Sequence, residues 1–157
     1  MRIRQHRCAL KREHALVAEH REILLYDEGK PDRVDLWNFR WEHAQARIAA
    51  RKGNKAEAEK HVAAAKAILD KGTNPNQMQF FPYLVGYVAL YTGDPKTALT
   101  ELQKGNQNDP FIQTLIGEAY EKLGDKEKAT EFYKKASTTT AHNPAGAYAK
   151  RVTRKKV

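Results

Sequence analysis

Apolar and polar positions along this chain recur with a helical period. No segment alternates apolar with polar at period two, the mark of a half-buried strand. Three stretches instead share one template, counted from Gly53, Gly93 and Gly124. Seven residues before each stands a small residue: Ala46, Gly86 and Gly117. Five residues after lies an alanine: Ala58, Ala98 and Ala129. Nine after comes a larger apolar side chain, Val62, Leu102 or Tyr133, and twelve after a small one again, Ala65, Gly105 or Ala136. Agreement at fixed offsets in three copies is the signature of an internal repeat, and its small positions suit helices whose axes approach closely.

Each reference glycine sits between a helix stop and a helix start. Glycine takes the left-handed conformation that ends a helix, and the Asn or Asp after it (Asn54, Asp94, Asp125) can cap the next one. Glu57, three residues past Asn54, has capping-box spacing. Asp94-Pro95, Asp109-Pro110 and Asn143-Pro144 place proline at a first helical position, where its missing N–H is harmless. The pattern predicts paired helices over 33–52 with 55–70, 77–92 with 95–106, and 110–123 with 126–139, then a short helix from Pro144 and a basic tail to 157.

The phrase "LIGEAYEKLGDKEKATEFYKKA", with Gly117, Tyr120, Gly124, Ala129, Tyr133 and Ala136, resembles a tetratricopeptide (TPR) repeat of the bacterial kind. Gly86, Gly93, Ala98, Leu102 and Pro110 are similar to a second copy, and Ala46, Gly53, Ala58 and Ala65 to a degenerate third. The resemblance covers roughly residues 37 to 143. It implies an all-α, right-handed superhelical solenoid of antiparallel helix pairs, about three repeats plus an N-terminal helix, as one domain over 1–157. The spacing departs from the family period of 34, being 40 and then 31. The stretch 70–78 reads as an insertion and Asp109-Pro110 as a tightened turn, so the groove shape of the family does not carry over.

The N-terminal 1–26 carries Ile3, Leu10, Val17 and Leu24 at seven-residue intervals, one apolar stripe on a helix. It reads as a helix packed beneath the first pair. The sharper alternative is the second helix of a truncated repeat, making the chain a piece of a longer solenoid or a self-associating homo-oligomer edge.

Composition narrows the chemistry. One cysteine, Cys8, excludes an intramolecular disulfide and a cysteine metal cluster. The net charge of +9 raises nucleic acid as a partner, but five of its cations lie in Lys150–Val157 without an acid, while residues 37 to 149 hold 15 basic and 12 acidic side chains. Such a terminal run reads as a solvated tail. No apolar run reaches membrane-span length and no signal peptide opens the chain; the default expectation is a cytoplasmic protein with no membrane partner, the alternative a fragment of an exported one. The one serine, Ser137, lies outside any nucleophile elbow, and no phosphate loop or dinucleotide fingerprint occurs. No two histidines are four apart and no Glu-x-x-His occurs. Glu57 and His61 are four apart and read as a surface pair before a metal clip. The expectation is no enzyme, no metal and no cofactor.

In proteins resembling TPRs the first helices line the concave surface. Counted from the repeat template, three rows fall in register there: Arg40, His43, Arg47 and Arg51; Phe80, Tyr83, Tyr87 and Tyr91; Phe111, Thr114, Glu118 and Glu121 or Lys122. Phe80 and Phe111 read as core, the three tyrosines fit core or groove equally, and Arg47 and Arg51 read as groove because Ala46, Ala49 and Ala50 claim the packed sides. The resulting expectation is a protein- or peptide-binding scaffold. Its concave site is Arg40, His43, Arg47, Arg51, Tyr83, Tyr87, Tyr91 and Glu118, suited to an acidic partner because arginine forks grip carboxylates and tyrosine buries area at low entropic cost. Single-stranded nucleic-acid binding through the aromatic stripe and basic tail is the alternative.

Overall fold

A computed structural model describes residues 29–157; the apolar stripe from Ile3 to Leu24, Cys8 and three of the six histidines lie outside the described residues. Among the described residues seven α-helices follow one another: α1 (Pro31–Arg51), α2 (Lys55–Asp70), α3 (Phe81–Tyr91), α4 (Pro95–Leu102), α5 (Pro110–Leu123), α6 (Lys126–Ser137) and α7 (Pro144–Thr153). A 3-10 helix, Pro75–Phe80, precedes α3, and no strand occurs among the described residues. The helices pack as successive pairs, α1 with α2, α3 with α4 and α5 with α6; α3 also packs on α1, and α5 on α4 and α3. This is the stacked architecture of a helical-repeat solenoid. The last helix, α7, packs on both α5 and α6.

Local chemistry sets the ends. Gly53, Gly93 and Gly124 have φ of 76°, 95° and 86°, and the following N–H of Asn54, Asp94 and Asp125 reaches back to the carbonyls of Ala49, Ala89 and Tyr120. Those same three side chains then cap the next helix, accepting from the N–H of Glu57 at 3.2 Å, Thr97 at 3.0 Å and Lys128 at 3.0 Å. Asp109 and Asn143 do likewise for α5 and α7, ahead of their prolines. Each link thus satisfies orphan groups on both sides in two or three residues, which keeps paired helices antiparallel.

Two boundaries differ from the sequence expectation. The α-helix of the second pair begins at Phe81, not at 77, because Pro82 is tolerated only in a first turn; deeper inside, its ring would strike the preceding turn's carbonyl. The six residues ahead of it wind as the tighter 3-10 form, which leaves Phe80 45% exposed instead of in the core. The fourth helix stops at Leu102, not 106, because the Gln107 amide donates to the carbonyls of Leu102, Gln103 and Gly105 and ends the ladder.

The repeat template packs by size complementarity. A Cβ on Gly117 would stand 2.6 Å from the Tyr133 ring, and one on Gly86 2.7 Å from Leu102. In the first pair the corresponding residues are Ala46 and Val62, in one core cluster: the smaller Val62 leaves room for a methyl. The apolar interior forms two clusters, one between the first pair and α3 around Phe39, Leu69, Leu84 and Val88, the other around Tyr87, Leu90, Leu102, Leu115 and Ile116. The third helix contributes to both. Its residues Gly86 to Leu90 are all buried, as expected of a helix apolar on every side.

The cations of the C-terminal segment are exposed, as expected of a solvated run, but the segment is docked at Thr153. Lys150 to Thr153 form the last turn of α7, and Thr153 is fully buried, its hydroxyl donating to the Ala149 carbonyl at 2.8 Å. The Lys156 ammonium returns to Glu121 at 2.6 Å and lies 5.6 Å above the Tyr133 ring. Its cause is the alternation of small and cationic residues in this turn: Ala149 and Thr153 share one face and dock, while the cations point out.

Gly117→Leu is expected to lower unfolding free energy by roughly 1–3 kcal/mol or more through overpacking against Tyr133. Gly124→Val meets no neighbouring atom, so its cost is the left-handed backbone alone, about 1–2 kcal/mol. Urea unfolding of both variants checks this, and parental midpoints would contradict the pairing. Deletion of 151–157 removes buried Thr153 and the Lys156–Glu121 link, so it should lower the melting temperature measurably; an unchanged melt would show that α7 is held by its first turns only.

Candidate functional site

The first helices α1, α3 and α5 present one continuous aromatic and cationic face, extended by α7. Arg47 stands at its centre. Its guanidinium lies 4.7 Å from the Tyr87 ring, 5.5 Å from Tyr83 and 5.8 Å from Phe111. One turn on, Arg51 lies 4.4 Å above Tyr91. Around them the rings contact in sequence: His43 with Phe39 at 5.8 Å and with Tyr83 at 5.4 Å, Tyr83 with Tyr87 at 6.1 Å, Tyr87 with Tyr91 at 4.7 Å, and Phe111 with Tyr148 at 4.8 Å. The repeat register therefore does bring His43, Arg47 and Arg51 against the row of Tyr83, Tyr87 and Tyr91.

Accessibility is uneven. Tyr87 is only 6% exposed and belongs to the core beneath Arg47, because α3 is packed from both sides. Tyr83 and Tyr91 are half-buried. Arg40 sits 4.9 Å above the Trp37 ring on its own helix, outside the Arg47 stack. Thr114 is fully buried, its hydroxyl returned to the Pro110 carbonyl, so the third row contributes Phe111 and Glu118 instead. Glu118 accepts the Tyr91 hydroxyl at 2.8 Å. Two residues join the face that sequence reasoning left out. Phe80, read as core, borders the cavity described below. Tyr148 of α7 completes the wall opposite Arg47, and its signal was present: Pro144 lies 34 residues after Pro110, one family period, marking α7 as a first helix in the series.

A cavity of about 780 Å³ opens on this face, bounded by Arg47, Phe80, Tyr83, Phe111, Ile112 and Tyr148, with Gln79 and Asn106 at its rim. A second hollow of about 500 Å³ continues past Arg47, lined by Ala44, Ile48, Arg51, Lys52 and Tyr87. Arg47 borders both. Its Nε is buried without a hydrogen-bond partner, as is Nε2 of His43. Burial, reinforced by the Arg47 charge, holds the His43 imidazole down at about 4, so it is neutral at physiological pH. Burial pushes the phenols of Tyr83, Tyr91 and Tyr148 upward, and also the Glu118 carboxyl, against the pull of its Tyr91 hydrogen bond and of Arg51. Arg47 and Arg51 bring two guanidinium groups to this face, and Asp109 and Glu118 two carboxyl groups.

His61, paired in sequence with Glu57, bridges two carboxylates: Nδ1 is 2.5 Å from Glu42 and Nε2 3.2 Å from Glu57. It ties α1 to α2. No group of three metal-ligating side chains comes together among the described residues, and no helix among them is long and apolar enough to cross a membrane.

Stacked helix pairs with a groove on their first helices define a helical-repeat scaffold. Residues 112–141 match the tetratricopeptide repeat family. The match covers α5, α6 and the turn after them, the pair whose repeat residues are clearest. No curated protein and no solved structure matches the chain.

The His43 shift gives a pH expectation. Its folded value lies below the ordinary 6.5, so between about 6.5 and 4 the unfolded chain binds more protons. This contribution to stability is complete above that window and is lost as pH falls through it. His43→Gln should flatten the acid decline by about 1–3 kcal/mol, read from urea unfolding at stepped pH. Parallel curves for parent and variant would contradict the buried neutral imidazole.

Proposed function

We propose that the chain is a protein-interaction scaffold whose concave face binds a partner segment bearing carboxylates. A tetratricopeptide repeat is ordinarily an interaction scaffold. The observation that carries the acidic partner is Arg47: a guanidinium stacked on aromatic rings, bordering an open cavity, with a buried Nε that has no acceptor. A carboxylate entering the cavity would meet the Arg47 guanidinium in a charge-assisted pair, worth more than a neutral hydrogen bond.

Single-stranded nucleic acid fits less well. Base stacking needs open ring faces, and those of Tyr87 and Tyr91 are covered by Arg47 and Arg51.

Fluorescence anisotropy with a labelled glutamate- and tryptophan-rich peptide, and with labelled oligothymidine as the rival, tests the reading. Arg47→Ala should weaken peptide binding by about 1–3 kcal/mol and reduce its salt dependence while the helical circular-dichroism signal is kept. Tighter, salt-sensitive binding of oligothymidine that survives Arg47→Ala would overturn it.

A further inference from the structure

We propose that a further hollow on the second-helix side, between α2, α3 and α4, is a docking site for an uncharged aromatic side chain of a partner protein, separate from the Arg47 face. This hollow is about 400 Å³ and is walled by Val62, Ala63, Phe81, Val85, Val88 and Ala89. Among the described residues it shares no wall with either hollow beside Arg47. The repeat template explains why it is there. Four residues before the reference glycine, α5 carries Tyr120 where α3 carries Ala89. Six residues after it, α4 carries Leu99 where α2 carries Glu59. Between the second and third pairs, Leu99 and Tyr120 pack on the core, and the Tyr120 ring stacks on Phe132 at 5.6 Å with the Lys128 ammonium 5.3 Å from its centre. Between the first and second pairs that ring is missing and its space is open. The link there is also longer, its reference glycines 40 residues apart instead of 31, and α2 contacts α3 less extensively than α4 contacts α5.

The molecule thus contains its own example of what this space accepts. An apolar cavity that lacks a ring takes one up from outside, as cavities of about 150 Å³ lined by Leu, Ile and Phe bind benzene. Charge selects among rings. The rim carries two cations, Lys55 and Lys66, and two anions, Glu59 and Asp94, so it offers no net charge. Lys55 lies 3.8 Å from Glu59, Lys66 is engaged by Asp70, and the Asp94 carboxylate accepts the Thr97 N–H at 3.0 Å. An ionic ligand therefore finds no unmatched charge here, whereas a neutral ring loses nothing. A rim lysine can also lie over the face of that ring, as Lys128 does over Tyr120. The source is a protein side chain because the hollow opens between two second helices, with Ala63 and Lys66 exposed at its mouth. The ring enters while the chain that carries it rests across α2 and α4, in the manner of the tryptophan and tyrosine anchors that dominate many protein contacts.

The experiment follows backbone amide NMR signals of the isotope-labelled full chain. It is titrated with acetylated, amidated glycine–serine peptides that carry one tryptophan, one tyrosine or one leucine, and separately with free indole and para-cresol. The tryptophan peptide should bind about tenfold tighter than the leucine peptide. It should shift the amides of Val62, Val85, Ala89 and Thr97 and spare those of Tyr83 and Phe111. Ala89→Tyr puts the ring of the next repeat into the hollow, so it should abolish these shifts without lowering the melting temperature. Ala63→Glu, at an exposed helical position, sets a charge at the mouth without touching the core and should lower the affinity several-fold. Arg47→Ala should leave the titration unchanged, so this site stands or falls apart from the acidic-segment reading. Shifts that survive both Ala89→Tyr and Ala63→Glu would overturn the site, as would shifts on Tyr83 and Phe111 that vanish with Arg47→Ala. Equal affinity for the tryptophan and leucine peptides, or no binding of either, would do the same. Free indole or para-cresol binding more tightly than the peptides at the same amides would give the hollow to a small aromatic molecule and overturn the docking of a protein.

Discussion

The close crossing of the two helices within each pair, allowed by a side chain no larger than a methyl at one position, is the constraint on which the remaining geometry depends. Gly117 admits the Tyr133 ring, Gly86 admits Leu102, and Ala46 shares its core cluster with the slimmer Val62. Bringing the axes together fixes how far the second helix of each pair lies from the first, and so how the first helix is rotated. That rotation turns Arg47, Tyr83 and Phe111 to one side. A bulkier residue at the crossing would rotate or separate the helices, and the face would lose its alignment before the fold lost its helices.

The face itself is held by an uneasy balance. A guanidinium stacked on aromatic rings gains about 0.5–2 kcal/mol, the upper part of that range when water is excluded. A buried donor left without an acceptor costs about 1–3 kcal/mol. Arg47 has both features, so its resting position is close to neutral in free energy. A group so placed responds to an incoming acceptor without first breaking an ion pair. Arg51, exposed over Tyr91, carries no such penalty and keeps its charge in water. His43, neutral beneath Tyr83, adds no competing charge to the cluster.

Much of this was legible from residue type and spacing. The Gly–Asn and Gly–Asp links, the proline starts and the small positions identified the helix pairs, because capping and close crossing are short-range demands that few residues meet. The apposition of Arg47 and Arg51 with Tyr83, Tyr87 and Tyr91 followed from equal rotation of equivalent helices. Phe80 was misread because the 3-10 turn imposed by Pro75 and Pro82 breaks the 3.6-residue phase just where its side chain is aimed. The C-terminal cations are exposed, as a charged terminal run should be, but charge composition hid the small-residue face of Ala149 and Thr153 that docks between them. Tyr148 was overlooked for the same reason, although its helix starts one family period after Pro110.

What the sequence by itself determined is local: where helices begin and end, which positions must be small, and which side chains share a helical face. These depend on backbone chemistry and periodicity within a few residues. What only the tertiary structure decided is which members of a shared face stay open. Tyr87 and Tyr83 occupy equivalent faces of α3 one turn apart, yet the first is only 6% exposed beneath Arg47 and the second is half-buried on the wall of the larger cavity. Exposure depends on the neighbours that other segments deliver, here α1 above and α7 across the groove. Helical periodicity specifies a direction from an axis, not what stands in that direction.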